Sequence, residues 1–249
     1  MSLTFGFVTD GKNDEMLEIG IKSILNSNIE NYEILVVGNS SLRFPGVKFV
    51  EFDENEKIGW ITRKKNLLAV NASNETLIIV HDYLTFENNW TQENIQNMID
   101  QEWDVAVCKV LNFDGKRFRD WVIWPFNSRF LRLPFIYNLK CLVPYEVKSL
   151  SNLMYINGTV LIVRREYFLL NPLDEKRVWG QGEDVEWSIR LRDSWRIKLF
   201  CELSIKSLKN KDAAFSQMGC LSLILVRIYS FMLRRGPNWL RKLFQISYA

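Results

Sequence analysis

Short apolar runs alternate along the chain with segments in which apolar residues recur every three or four positions. Apolar runs bounded by turn residues are typical of buried strands, and the three-to-four spacing is typical of helices. The pattern predicts strands at 3–8, 33–37, 47–52, 76–80, 104–110, 155–163 and 195–200, and helices at 16–25, at 62–72, after Trp90 and within 179–192. This alternation predicts an α/β fold with a mostly parallel sheet flanked by helices on both faces.

The stretch 111–150 breaks the alternation. It is rich in aromatic residues and prolines, above all between Trp121 and Tyr137, and it predicts a long loop or irregular insertion. Long loops in a compact domain are more often functional than idle. We expect most of these aromatic side chains to pack and one or two to line a cleft.

Polar residues follow three of the predicted strands. Thr9-Asp10-Gly11 follows the first strand, Asn39-Ser40 the second, and His81-Asp82 the strand at 76–80. Ligands of parallel sheets bind beyond the carboxyl ends of the strands, so we expect chemistry at these positions. His81 is the only histidine, and both a structural and a ligand-binding role stay open for it.

The segment Trp179-Gly180-Gln181-Gly182-Glu183-Asp184 combines two glycines with two carboxylates at the start of a helix. The glycines permit close approach of the backbone to a ligand. Carboxylates at a helix N-terminus are kept ionised by the helix dipole, which suits a helix cap or a general base.

The composition is that of a globular protein. With 249 residues, of which 47% are hydrophobic and 24% charged, the chain can bury a full core without disulfides. The cysteines show no metal-binding or redox spacing, so we expect reduced, mostly buried thiols at Cys108, Cys141, Cys201 and Cys220. The first six residues lack the pattern of a secretory signal, and we expect a cytoplasmic protein.

The net charge of +3 is unevenly distributed. Residues 213–249 hold five basic and no acidic residues, whereas residues 1–212 hold 27 basic and 29 acidic ones. We therefore predict one domain at 1–212 and a basic amphipathic helical tail at 213–249.

The apolar part of the tail is too short for a spanning helix and contains Arg227, which favours peripheral binding to an anionic membrane surface, on the inner face. Docking on the chain's own core or on a second subunit of an oligomer is the alternative. Basic charge confined to an apolar tail argues against nucleic acid as a partner.

Three groups of motifs, in this order, resemble the GT-A nucleotide-sugar glycosyltransferases, in particular glycosyltransferase family 2. The first is the opening strand 3–8 with Thr9, paired with the strand that leads to Gly38-Asn39-Ser40. The second is the basic helix that begins Arg63-Lys64-Lys65-Asn66, followed by the strand ending in His81-Asp82-Tyr83. The third is Asn157-Gly158-Thr159 with the Glu183-Asp184 pair. The resemblance spans about residues 3–200 and implies a GT-A (Rossmann-like) fold.

The resemblance also implies a reaction and a site. It implies transfer of a sugar from a nucleotide-sugar donor to a glycan or lipid-linked acceptor, with inversion, in the synthesis of a surface polysaccharide. Asp184 would be the general base, with Glu183 contacting the acceptor or capping the helix, and Gly182 and Trp179 would lie on the acceptor side. The donor would lie across the remaining motif residues, which are Thr9, Asp10, Asn39, Lys65, His81 and Asp82.

The usual Asp-x-Asp motif is replaced here by His81-Asp82-Tyr83. If Asp82 occupies the metal position, Mn²⁺ or Mg²⁺ could bind through one carboxylate and phosphate oxygens. If Tyr83 occupies it, a lysine or arginine must neutralise the leaving group. This departure leaves three alternatives open: a non-catalytic nucleotide- or glycan-binding module, a retaining transferase, and a nucleotidyltransferase.

Overall fold

A computed structural model describes residues 2–123, 141–147, 150, 153–211, 215–217, 224, 227 and 228. Twelve strands are assigned in this part of the chain: β1 Leu3–Val8, β2 Tyr32–Val37, β3 Val47–Val50, β4 Thr76–His81, β5 Leu84–Phe86, β6 Val105–Leu111, β7 Val122–Ile123, β8 Cys141–Leu142, β9 Met154–Tyr155, β10 Val160–Arg164, β11 Ile197–Ser207 and β12 Ser216–Gln217. Five helices are assigned: α1 Asp14–Leu25, α2 Ile61–Asn71, α3 Gln92–Ile99, α4 Arg165–Leu170 and α5 Glu183–Leu191.

Eight strands form one central sheet in the order β3-β2-β1-β4-β10-β6-β11-β5. The pairs β3-β2, β2-β1, β1-β4 and β6-β11 are parallel. Strand β10 is antiparallel to both of its neighbours, and β5 is antiparallel to β11 at the edge. Six strands therefore run in one direction and two are reversed, which confirms the predicted mostly parallel α/β fold.

The sheet is covered on both faces. On one face it packs against Leu68 of α2, Phe168 of α4 and Trp187 of α5. On the other face it packs against Leu17 of α1 and Met98 of α3. The inner strands are buried throughout, as in β1, where all six residues are buried, and this explains why they appear as continuous apolar runs in the sequence.

The structure corrects the expectation for 111–150 in part. Strands β7 and β8 of that stretch join β9 and β12 in a small four-stranded sheet. Trp121 packs in the main core, as expected for most of these aromatics. Residues 124–140, which hold the remaining predicted aromatic insertion, lie outside the described residues.

Three further elements differ from the prediction. The predicted strand at 155–163 is divided, because a turn at 158–159 separates β9 from β10. The connector at 167–172 is part of the helix α4, and β11 continues beyond 200 to Ser207 after a register shift against β6. The short edge strand β5 was not predicted, since three residues carry too little periodicity.

The predicted tail lies almost wholly outside the described residues. Within 213–249 only 215–217, 224, 227 and 228 are described, and Ile224 and Ile228 are exposed. In the described part of the chain no helix has the length and apolar character needed to cross a membrane. Cys108 and Cys141 are buried, Cys201 is half-buried, and Cys220 is not among the described residues.

Helix α1 contacts the edge strand β5 through Gly20. A Cβ atom at this position would lie 2.5 Å from the carbonyl oxygen of Leu84 and 2.9 Å from the ring of Phe7. Ser23, one turn further along, accepts a hydrogen bond from the amide of Phe86. The close approach of α1 to β5 therefore depends on the missing side chain.

We expect Gly20→Ala to lower the free energy of unfolding by about 1–3 kcal/mol, because the overpacking outweighs the gain in helix propensity. Ile19→Ala is the control, since Ile19 is exposed on the same helix, and its effect should stay within about 1 kcal/mol. Urea denaturation of the three proteins measures both values. A Gly20→Ala protein as stable as the wild type would contradict the close contact.

Candidate active site

A cleft of about 1130 Å³ opens at the carboxyl ends of β1, β2 and β4. The polar residues that follow these strands meet there, although they lie far apart in the sequence. The cleft is lined by Thr9, Asp10, Asn39, His81, Asp82 and Trp179 of the predicted site, together with residues that were not predicted, among them Asn13, Lys64, Lys209 and Lys211.

Two glycines let the ends of β1 and β2 approach each other. Gly11 has φ +79°, and a Cβ there would lie 2.1 Å from the carbonyl oxygen of Asn39. Gly38 has φ +143°, and a Cβ there would lie 2.1 Å from the carbonyl oxygen of Thr9. A side chain at either position would push the two loops apart, so these glycines bring Thr9 and Asn39 to one side of the cleft.

Asp82 is held in place at the end of β4. Its Oδ2 accepts a hydrogen bond of 2.8 Å from the Thr9 hydroxyl and one of 3.2 Å from the Asn13 amide. The amide of Gly11 in turn donates to the Thr9 hydroxyl oxygen. Burial raises the pKa of Asp82, and the hydrogen bonds from Thr9 and Asn13 oppose this shift. The carboxylate is therefore oriented by two partners on the loop that follows β1.

His81 carries no positive charge at neutral pH. Burial lowers its pKa well below the usual range, and the nearby ammonium groups of Lys65, Lys211 and Lys64 lower it further. Its backbone amide donates to the carbonyl oxygen of Thr159 at 3.3 Å. This arrangement agrees with a structural role for the neutral ring at the border of the cleft.

The two lysines at the start of α2 point to different places. Lys64 donates to the carbonyl oxygen of Thr9 at 2.9 Å and to Glu54 at 2.7 Å, at the edge of the cleft. Lys65 is only 1% exposed, and its ammonium donates to the carbonyl oxygen of Gly158. The structure thus places the ammonium of Lys65 at the turn at 158 and not among the residues that line the cleft, and its donor contact stays a prediction.

Gly158 connects the cleft to the carboxylates of α5. Its amide donates a 2.8 Å hydrogen bond to Oδ2 of Asp184, and its carbonyl accepts from Lys65. A Cβ at 158 would lie 3.2 Å from both Lys65 Nζ and Asp184 Cβ. The absence of a side chain therefore lets the turn fit between these two groups, next to His81.

The two carboxylates at the start of α5 differ in exposure. Glu183 is 7% exposed, and burial raises its pKa, with a further contribution from Asp184. Asp184 is half-buried and accepts hydrogen bonds from the amides of Gly158 and Val185. Asp184 is thus the more exposed of the two, and neither carboxylate is among the residues that line the cleft. Gly182, in the left-handed region at φ 68°, precedes the helix.

The loop before α5 is tied to α2. The indole of Trp60 and the hydroxyl of Thr62 donate to the carbonyl oxygens of Glu175 and Arg177, and the amide of Trp179 donates to Gly59. Trp179 itself is 68% exposed at the mouth of the cleft. The loop is therefore rigidly attached while its largest aromatic surface remains open to a ligand.

The described residues do not fit a divalent cation held by the protein alone. No three His, Cys, Asp or Glu side chains converge within this part of the chain. Asp82 is the single carboxylate of the His81-Asp82-Tyr83 motif, and its Oδ2 already accepts two hydrogen bonds. Two ammonium groups, of Lys209 and Lys211, line the same cleft.

Sequence reasoning missed several of the residues that line the cleft. Lys64 belongs to the basic triplet Arg63-Lys64-Lys65, but the sequence does not show which of these three side chains faces the cleft. Lys209 and Lys211 lie beyond the predicted end of the last strand at 200, so the predicted elements give them no position at the sheet edge. A continuation of the apolar alternation through Leu203 and Ile205 is the signal that could have found them.

We expect the free energy of unfolding to fall as the pH decreases below about 6.5, since the unfolded chain then binds a proton at His81 that the folded chain does not. The loss is at most about 1.4 kcal/mol per pH unit and continues until the pH reaches the folded-state pKa. His81→Asn should lack this part of the loss. Urea denaturation at about pH 7.5 and about pH 5.5 measures the difference for both proteins. Equal losses would contradict a neutral His81.

No protein-family model matches the sequence, and no curated protein matches it. The structure is similar to the crystal structure of GalNAc-T7 with UDP, GalNAc and Mn²⁺, with a TM-score of 0.60 and 15% identity over 94% of this chain and 48% of that one. It is also similar to TarS of S. aureus, with a TM-score of 0.58 and 12% identity over 96% of this chain and 40% of TarS. A TarS fragment, 1–349, matches with a TM-score of 0.54 and 12% identity over 97% of this chain and 68% of the fragment.

The chain thus spans about half or less of the length of GalNAc-T7 and full TarS. At sequence identities of 12% and 15%, this similarity shows a shared fold and nothing further. Together with the strand order and the position of the cleft, it leads to the conclusion that this chain has the GT-A fold.

Proposed function

We propose that this chain is a glycosyltransferase that moves a sugar from a nucleotide-sugar donor to a hydroxyl group of a glycan or lipid-linked acceptor, with inversion, in surface polysaccharide synthesis. The observation that carries the proposal is the link between the cleft and Asp184. The amide of His81, a residue that lines the cleft, donates to the carbonyl oxygen of Thr159, and the amide of the adjacent Gly158 donates to Asp184. GalNAc-T7, which shares the fold, was crystallised with UDP, GalNAc and Mn²⁺, and this supports a nucleotide-sugar donor.

The cleft suits the donor in size and polarity. Its volume of about 1130 Å³ lies slightly above the range for small-molecule sites, which is about 300–1,000 Å³. Thr9, Asp10 and Asn39 offer hydroxyl, carboxylate and amide groups at the ends of β1 and β2, where a nucleoside would lie. Asp82 lies deeper, next to the expected position of the ribose and the diphosphate. Mn²⁺ or Mg²⁺ at Asp82 stays a prediction from the resemblance.

The difference in exposure between the two carboxylates supports different roles for them. Asp184 is the proposed general base, because it is the more exposed of the two and its orientation is held by Gly158 and by its position at the start of α5. Glu183 is buried near Lys65 and compensates the positive charge of that ammonium. It contributes to catalysis by keeping the start of α5 in place.

In the proposed reaction two bonds break and two bonds form. Asp184 takes the proton of the acceptor hydroxyl as the hydroxyl oxygen bonds to the anomeric carbon of the sugar. The bond from this carbon to the diphosphate oxygen breaks, and the nucleoside diphosphate leaves with the electron pair. Attack from the side opposite the leaving group inverts the anomeric carbon.

The acceptor would approach over Trp179 and Gly182. Trp179 presents its exposed indole at the mouth of the cleft, and an aromatic face of this kind packs well against the apolar face of a sugar ring. Gly182 has no side chain to obstruct the path to Asp184. Both residues lie in the loop that α2 holds in place.

A panel of nucleotide sugars, screened by donor hydrolysis and by thermal stabilisation of the purified chain, first identifies the donor. With that donor, we expect Asp184→Asn to lower kcat by about 100–10,000-fold, since an amide cannot accept the proton. The matched control is Glu186→Gln, on the same helix, where Glu186 pairs with Arg190. It should retain transfer within about threefold of the wild type. Thermal melting confirms that both variants are folded.

The outcome also separates the alternatives. Near-normal transfer by a folded Asp184→Asn protein would contradict its role as the base. Retention at the anomeric carbon, seen by NMR of the product, would indicate a retaining transferase, and release of pyrophosphate a nucleotidyltransferase. A chain that binds nucleoside diphosphates without turnover of any donor would be a binding module.

A further inference from the structure

Two lysines lie at the deep end of the cleft, on the segment that follows β11. The backbone amide of Leu208 donates to the carbonyl oxygen of Tyr83, which brings this segment next to the end of β4. The ammonium of Lys211 lies 4.5 Å from the centroid of the Tyr83 ring, and that of Lys209 lies 5.2 Å from it. Both lysines therefore flank the His81-Asp82-Tyr83 motif.

The segment that carries the lysines is held by side chains on both sides. The amide group of Asn112 accepts a hydrogen bond from the backbone amide of Lys211 and donates one to its carbonyl oxygen. The buried hydroxyl of Ser207 donates to the carbonyl oxygen of Lys209 and accepts from its amide. The two ammonium groups are thus presented by a preorganised backbone and not by a free loop.

Neither lysine is neutralised by the described part of the protein. No carboxylate there lies within 4.0 Å of either ammonium. Lys209 donates to the neutral amide oxygen of Asn13 at 2.6 Å and is attracted to Asp82 at longer range. Burial lowers the pKa of Lys211, and the charges of Lys209 and Arg119 lower it further. Like charges that are gathered without an ion-pair partner cost free energy, and a bound anion offsets this cost.

We propose that Lys209 and Lys211 bind the diphosphate of the nucleotide-sugar donor and stabilise the charge of the nucleoside diphosphate as it leaves, in the place where a divalent cation would otherwise act. This inference rests on the proposed function. It also explains how the chain could work with His81-Asp82-Tyr83 in place of Asp-x-Asp. This motif supplies one carboxylate and therefore few metal ligands, whereas the two ammonium groups supply two positive charges next to it. Asp82 then orients Thr9 and Asn13 and attracts Lys209.

The chemistry of the leaving group agrees with this placement. When the bond from the anomeric carbon to the diphosphate oxygen breaks, the electron pair remains on that oxygen, and the negative charge of the diphosphate increases. Preorganised cations at this point stabilise the transition state more than the ground state. Lysine is a compact point charge that is suited to phosphate oxygens.

The test is calorimetric titration of the purified full chain with UDP, GDP and dTDP in EDTA and again in Mn²⁺. We expect a nucleoside diphosphate to bind in EDTA. Lys209→Gln and Lys211→Gln should each weaken this binding at least about tenfold, since each removes a charge-assisted contact. The corresponding nucleoside, which lacks phosphates, should bind the variants as it binds the wild type.

Two controls separate charge from folding. Lys211→Arg keeps the positive charge and should retain most of the affinity. Lys206→Gln removes a lysine from β11, opposite Thr85 and away from the cleft, and should bind as the wild type does. Loss of affinity in Lys211→Arg equal to that in Lys211→Gln would overturn the proposal.

Two further outcomes would also overturn it, and they differ in what they say of the enzyme. Binding that requires Mn²⁺ and is unchanged in both glutamine variants would overturn the role of the lysines and leave the proposed transferase intact. Absence of binding for all three nucleoside diphosphates, with and without Mn²⁺, would overturn the lysine site together with the nucleotide-dependent function.

Discussion

The buried ammonium of Lys65 is the interaction on which the arrangement of the site depends. A charged group that is 1% exposed is costly unless it is paired and hydrogen-bonded. Burial lowers its pKa, while the negative charges of Glu183 and Asp184 favour the charged form. Helix α2 is thereby held to the turn before β10 and to the start of α5.

This one contact relates three segments that are distant in sequence. Lys65 donates to the carbonyl oxygen of Gly158, and the amide of the same residue donates to Asp184. The position of the proposed base is therefore tied to the first turn of α2. The loop at 173–179, which carries Trp179, is tied to the same helix through Trp60 and Thr62. Asp184 and Trp179, the residues proposed to meet the acceptor, are thus both held in place through contacts with the start of α2.

On the proposed donor side of the site, charged side chains lie close together at the ends of the strands. Lys64, Lys209 and Lys211 all lie at the cleft, and the charges of Lys64 and Lys211, together with that of Lys65, lower the pKa of His81. Thr9 and Asn13 orient the single carboxylate of the motif. Around this carboxylate, Lys209 and Lys211 supply two positive charges, at the proposed position of the donor diphosphate.

The sequence by itself determined the order of the main elements and the edge of the sheet where polar groups meet. Continuous apolar runs predicted β1, β2, β4 and β6, because strands that are buried on both faces leave no polar positions. The residues after three of these strands, Thr9, Asn39 and His81 with Asp82, do line one cleft. Parallel strands place their carboxyl ends at one edge whatever lies between them, so this much follows from local pattern.

Only the tertiary structure decided which charges face the cleft and which are buried. Lys64 and Lys65 are neighbours with the same chemistry, yet helical rotation by one residue places the first at the cleft and the second beneath Gly158. Glu183 and Asp184 are also neighbours with the same chemistry, yet Glu183 is buried and Asp184 is half-buried. Lys209 and Lys211 reach the site because β11 continues past a register shift and pairs along β6 to its end. Such outcomes depend on long-range packing and desolvation, which a local pattern of residue types does not encode.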